Sequence, residues 1–420
     1  MVRWFKDNII LSYALLVLGK YFGIISNEMS CVIVTLLLII YIIKTKRIQI
    51  PHVSGMKFYA VYAVLLAIYG FAFYSVRSVA RDVFYILPTI EFIILGYYYQ
   101  KKERDENKIF RSVIYVGACI AIINIIKALI SPSNLTSLTA IRGIFTSGSY
   151  EVVMAGIVAF VASIAGTDYQ IRHMKVIQLL LLIDTVLSFS RSVWVEFLLG
   201  CFIILMACQK RGTLSIRTFR VVSGALVVLL LLLFIGQYIL PDSVVTEYVN
   251  KLLVSSQEIN AGSTFNSVQE ATNYWRAYEM QSAINEWKSG SIFQQVFGFG
   301  IGKGIYIQYV PATWVPMVES NRIPLLHSAY HTYLVKGGII GLLSLIWFML
   351  APMYDSYRRL KRKHSSEYIG FHLVIIGVCT AFMIQSYVVR GPIVQNADIS
   401  WAMLVGWISS CFWQESSDRN

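Results

Sequence analysis

Residues 112–130 read SVIYVGACIAIINIIKALI, and Lys127 is the one charged side chain among them. A helix needs about 20 predominantly apolar residues to cross the hydrocarbon core of a bilayer, and this run comes close to that length. A transmembrane β-strand would instead show about ten residues of alternating polarity, which this run does not. Similar apolar stretches lie near 8–26, 29–44, 58–76, 83–100, 150–166, 176–190, 192–208, 220–240, 338–354, 368–388 and 400–414. The segment 176–208 is read as two short helices that meet at Arg191, not as one long helix.

The composition agrees with this pattern. Of 420 residues 56% are hydrophobic and 14% are charged, and the mean hydropathy is +0.61. A soluble domain carries roughly 25% charged residues. The expected fold is therefore an all-α polytopic membrane protein with about 12 transmembrane helices. Disorder, collagen and disulfide scaffolds are excluded on the same grounds. The six cysteines lie in or beside apolar runs without zinc-ligand spacing, so they read as packing residues.

Orientation follows from where lysine and arginine fall between the runs. With both termini inside, 23 of the 36 basic residues lie in cytoplasmic segments, and every cytoplasmic loop shows the bias. The net charge of +13 is then chiefly a topology signal, and no nucleic-acid partner is implied. One connection breaks the rhythm: residues 241–326 form a long polar segment rich in Trp and Tyr, with Gly298, Gly300, Gly302 and Gly304 close together. The expected organisation is helices one to nine in 1–240, a large outer cap in 241–326, and helices ten to twelve in 327–420. Within the cap, 268–288 reads as a helix and the glycine run as a tight, close-packed turn. No internal repeat appears, which argues against a transporter built from repeats.

The positive-inside bias depletes outer segments of arginine, so those that remain invite an explanation. Arg191 lies in Ser190-Arg191-Ser192 at the junction of two runs. It suits either phosphate binding or a salt bridge to Asp184 or Glu196. Arg276 either contributes to an anion site or pairs with Glu279 three residues on. Arg142 lies in a second outer loop, 131–149. His327 and His331 are the outward-facing histidines, and on a helix they would share a face. They suit proton transfer, metal binding or a structural role. No third metal ligand follows them, and no Asp-x-Asp motif appears, which favours a metal-free mechanism.

Several of these motifs together resemble the O-antigen ligase and O-antigen polymerase superfamily. His327-Ser328 followed by Gly338-Ile339-Ile340-Gly341 is similar to the family's active-site signature. Ser190-Arg191-Ser192, Arg142-Gly143-Ile144-Phe145, and Arg276 with Gly298-Phe299-Gly300 look like its arginine and Gly-x-Gly motifs. The resemblance covers roughly residues 130–345. It implies an all-helical fold like that of the type C glycosyltransferases, in the bacterial cytoplasmic (inner) membrane, with the active site on the periplasmic face. The implied donor and acceptor are oligosaccharides linked to undecaprenyl diphosphate, and no metal or other cofactor is expected.

In the implied mechanism His327 activates the acceptor hydroxyl, while Arg191 and Arg276 bind the diphosphate. Arg142, Tyr278, Tyr330, His331 and Arg322 would contribute substrate contacts. Leu342-Leu343 after Gly341 departs from the small polar residues of the ligase form and favours the polymerase branch. The alternatives are a ligase acting on lipid A-core and a transporter of the same lipid-linked glycan. Membrane lipids, and a protein that regulates chain length, complete the expected partners.

Overall fold

The computed structural model describes residues 9–45, 51–101, 105–131, 135–211, 244, 246–248, 265–310, 321–361, 368–388, 391–392 and 399–417. The expected span 220–240 lies outside the described residues, as do parts of the expected cap. The amino-terminal helices are α1 (Ile9–Tyr21), α2 (Asn27–Thr45), α3 (Met56–Phe73), α4 (Val76–Gln100) and α5 (Lys108–Ile130). Next come α6 (Leu138–Phe145), α7 (Ser149–Ala165), α8 (Met174–Leu187) and α9 (Arg191–Arg211). The region expected as a cap contributes α10 (Val268–Asn273), α11 (Trp275–Ser289), α12 (Ile292–Phe297) and the short strands β1 (Ile305–Tyr306) and β2 (Arg322–Ile323). The chain closes with α13 (Ala329–Lys361), α14 (Ile369–Val388) and α15 (Ile399–Ser417).

Five of the described helices are long and apolar enough to cross a membrane: α3, α5, α9, α13 and α14. A sixth span forms if α6 and α7, bent by 63° at their junction, are taken as one broken span. Shorter apolar helices run over Leu11–Tyr21, Glu28–Ile43 and Ile399–Phe412. The chain is thus an all-α multi-pass membrane protein. In α3 the side chains of Val61, Val64, Leu65 and Ile68 are each more than half exposed. A large apolar face that no part of the chain covers is suited to lipid.

Close helix packing depends on small residues, as it does where lipid removes the hydrophobic incentive to associate. Gly406 of α15 lies so near α4 that a Cβ there would collide with the Ile93 carbonyl, and one at Gly96 would meet Met403. Trp401 and Trp407 of α15 are fully buried beside this seam. The Trp407 indole donates to the Glu106 carbonyl at 2.9 Å, which satisfies its polar edge.

Two breaks in the helices set up the rest of the fold. Phe189 takes φ 43 between α8 and α9, a conformation that costs a non-glycine residue energy. The Trp194 indole donates across this turn to the Thr185 carbonyl at 2.8 Å. The expected division of 176–208 into two helices is what the chain adopts. In α13, Gly338 takes φ 61 and ψ −163, and the helical ladder opens there. The glycine run 298–304 fills the opening: Phe299 N donates to Val335 O at 3.0 Å and Gly300 N to Lys336 O at 2.8 Å. A Cβ at Gly298 would strike the Lys336 carbonyl, and one at Gly338 would strike Val296. The run is the close-packed turn expected, but it packs against broken helix backbone.

Candidate active site

His327 lies just ahead of α13, whose first turn begins at Ala329. Ser328 is the residue before the helix, and its hydroxyl accepts from His331 N at 3.5 Å, the position and partner of an N-cap. Thr332 fastens the same turn. Its hydroxyl accepts from Leu326 N at 3.2 Å and donates to Ser328 O at 2.9 Å. The chain is therefore held on both sides of His327.

Glu279 of α11 approaches this turn. Its Oε2 lies 2.7 Å from His327 Nδ1 and accepts from the His327 main-chain N at 3.2 Å. The carboxylate is 2% exposed and the imidazole 24% exposed. A carboxylate on Nδ1 favours the tautomer protonated there, so that Nε2 becomes the proton-accepting nitrogen. Glu279 Oε1 is buried without a hydrogen-bond partner among the described residues. The alternative of an Arg276–Glu279 pair is not realised: the described ion pairs join Glu279 to His327.

Arg276 stands one helical turn before Glu279 and is exposed. It lies within electrostatic reach of Arg142, and so does Arg191. These guanidiniums come from three separate elements: α6, the start of α9 and the start of α11. Arg191 sits at a helix N-terminus, where the helix dipole already favours an anion and disfavours a cation. The Arg142 Nε is buried without a hydrogen-bond partner among the described residues. Tyr248 packs between the two arginine-bearing turns, with ring centroids 5.0 Å from Phe189 and 5.5 Å from Trp194. Its hydroxyl is buried without a hydrogen-bond partner among the described residues, and Arg191 and Arg142 both act on it electrostatically. Three like charges with unsatisfied buried polar atoms beside them make a locus suited to a multiply charged anion.

The other expected contacts have different surroundings. Tyr278 is 4% exposed, in a core shared by α10, α11 and the strands. Its hydroxyl accepts from Tyr309 N at 2.6 Å, and burial pushes its pKa up. Arg322 donates to Gly304 O at 2.9 Å and pairs with Glu286 at 3.2 Å, while Lys303 reaches the same carboxylate at 2.7 Å. Both residues have partners within the protein. Tyr330 donates to Met383 O on α14 at 2.9 Å. His331 Nδ1 lies 2.8 Å from Ser328 Oγ, and its ring centroid lies 6.2 Å from that of Tyr387. The two histidines do not share a helical face, because His327 precedes the helix. No group of metal-binding side chains occurs among the described residues.

The sequence reading missed two contributors. Glu279 was visible as an acid, but helical spacing pointed it at Arg276. Tyr248 carried no motif.

The fold and the site together define a helical membrane protein with a carboxylate-backed histidine and an arginine cluster joined through one helix, α11. Residues 176–346 match the family model described as O-antigen ligase. The match covers less than half of the chain and is a likeness to that family over this one segment. The segment holds Arg191, Arg276, Glu279 and His327 and leaves Arg142 outside. No curated protein matches the chain closely enough to carry an argument.

Proposed function

We propose that the protein is a polysaccharide polymerase that joins repeat units carried on undecaprenyl diphosphate, acting at the outer face of the bacterial cytoplasmic membrane. The observation that carries this reading is the His327–Glu279 pair, whose Glu279 shares α11 with Arg276, together with the electrostatic reach of Arg276 and Arg191 to Arg142. The acceptor sugar hydroxyl attacks the anomeric carbon of the donor glycan. His327 Nε2 takes the hydroxyl proton as the new glycosidic bond forms. The bond from the anomeric carbon to the diphosphate oxygen breaks with inversion, and its electron pair leaves with the lipid diphosphate. Arg142, Arg191 and Arg276 stabilise the charge that develops there. Glu279 holds the ring and stabilises the imidazolium. Neither a nucleotide sugar nor a metal takes part in this scheme.

The ligase reading, transfer of the same glycan to lipid A-core, is favoured by the description of the matched family model. Leu342-Leu343 after Gly341 favours the polymerase. The test is purified protein in detergent with chelator and one lipid-linked repeat unit, the products being resolved on a gel. A ladder supports the polymerase. Product that appears when lipid A-core is added supports the ligase. No product in either case, with authentic donor and folded protein, rejects both and returns the transporter reading.

A further inference from the structure

Asp82 and Lys336 are buried ionisable groups to which the proposed reaction gives no part. Their side chains are 2% and 5% exposed and form an ion pair between α4 and α13. Lys336 lies two residues before the left-handed Gly338. Its ammonium also donates to Lys303 O at 2.7 Å. Asp82 Oδ2 accepts from Gly302 N at 2.8 Å, and Oδ1 accepts from the Arg81 guanidinium at 3.2 Å. One carboxylate and one ammonium therefore tie together α4, the glycine strand 298–304 and the broken turn of α13. An apolar pair of the same volume would leave Gly302 N and Lys303 O without these partners. Burial penalises unpaired backbone groups.

The strand continues into the elements that carry the site. Lys303 binds Glu286 on α11 at 2.7 Å. Phe299 lies against Gly290, directly after α11, and Gly298 N donates to Gln294 O of α12 at 2.8 Å. Helix α11 holds Arg276 and Glu279, and α13 begins two residues after His327. We propose that the Asp82–Lys336 pair is a positioning latch for glycan transfer: it holds the glycine strand in the break of α13 and so sets α11 against His327. The latch itself rests on geometry, and its role in transfer rests on the reading given under Proposed function.

The test uses full-length protein in detergent with Lys336→Met, Asp82→Asn and Lys336→Arg. Two quantities are measured: amide hydrogen exchange across 298–304, and turnover per folded molecule. In Lys336→Met and Asp82→Asn the strand is expected to exchange faster, and turnover to fall about a hundredfold, the loss that a 1 Å misplacement of reacting groups can cause. Lys336→Arg keeps the charge and should recover most of the turnover. If Lys336→Met does not fold, Asp82→Asn carries the comparison, since its carbonyl can still accept from Gly302 N. Unchanged exchange in the neutral variants overturns the latch, whatever the protein catalyses. Faster exchange with unchanged turnover overturns the positioning role. Wild-type protein that transfers no glycan overturns the functional reading and the transfer role with it, while exchange still decides the latch.

Discussion

The carboxylate of Glu279 lies 2.7 Å from Nδ1 of His327, a residue 48 positions further along the chain. Removing the carboxylate leaves the imidazole without the partner that fixes its tautomer and stabilises its charged form. Glu279→Ala should therefore lower kcat for glycan transfer about a hundredfold, toward the effect of His327→Ala. The double variant should lose little more than the His327 single, because the two groups act as one unit. Fully additive losses, measured as kcat on a defined lipid-linked donor, would show that Glu279 works independently of the histidine.

The three arginines should differ from lysine at the same positions. A guanidinium can present two parallel donors to a phosphate, and an ammonium cannot. Arg191→Lys should therefore restore little of the activity lost in Arg191→Ala. Arg142→Ala should raise the KM for donor, since Arg142 lies in the same cluster. Recovery of wild-type kcat/KM in Arg191→Lys would remove bidentate binding from the scheme.

Glu286 yields a prediction about pH. Burial raises its pKa, but its bonds to Lys303 and Arg322 outweigh burial and hold the carboxyl below its ordinary value of 4.5. A depressed carboxyl stabilises the folded state above the unfolded value, and that contribution is lost as pH falls through the folded one. Melting temperatures of wild type and Glu286→Gln should thus differ at pH 7 and converge below pH 4.5. A difference that persists at low pH would assign the effect of the substitution to packing.

Glycine substitutions should divide by location. A Cβ at Gly338 would strike the Val296 carbonyl, whereas one at Gly143 meets nothing within 4 Å. Gly338→Ala should abolish the folded fraction in detergent. Gly143→Ala, inside α6, should keep it and add up to about 0.5–1 kcal/mol to helix stability. Equal yields of the two folded proteins by size-exclusion chromatography would refute the close approach.

Much of the helical layout was legible because burial in lipid demands long apolar runs. The division at Arg191 could be read because a charge interrupts such a run. Arg142, Arg191 and Arg276 stood out because the positive-inside bias makes outer arginine uncommon. The histidine's partner was not legible. Helical spacing made Arg276 the natural partner of Glu279, and a contact between residues 279 and 327 depends on how α11 packs against the start of α13. Tyr278 and Arg322 read as substrate contacts by residue type and outer position. Their partners within the protein, Tyr309 and Glu286, follow from the packing of α11 against the strands and carry no signal in the sequence.

The glycine strand in the gap of α13 bears on how the molecule is made. Two of its hydrogen-bond acceptors, Val335 O and Lys336 O, and the ammonium that binds Lys303 O belong to a helix synthesised after it. The helices it lies against, α3 and α4, are synthesised long before. The strand must therefore wait, incompletely bonded, until α13 arrives. The segment from 265 to 326, cut out and expressed alone, would expose those amides with nothing to receive them. Assembly of the site thus waits on the synthesis of α13.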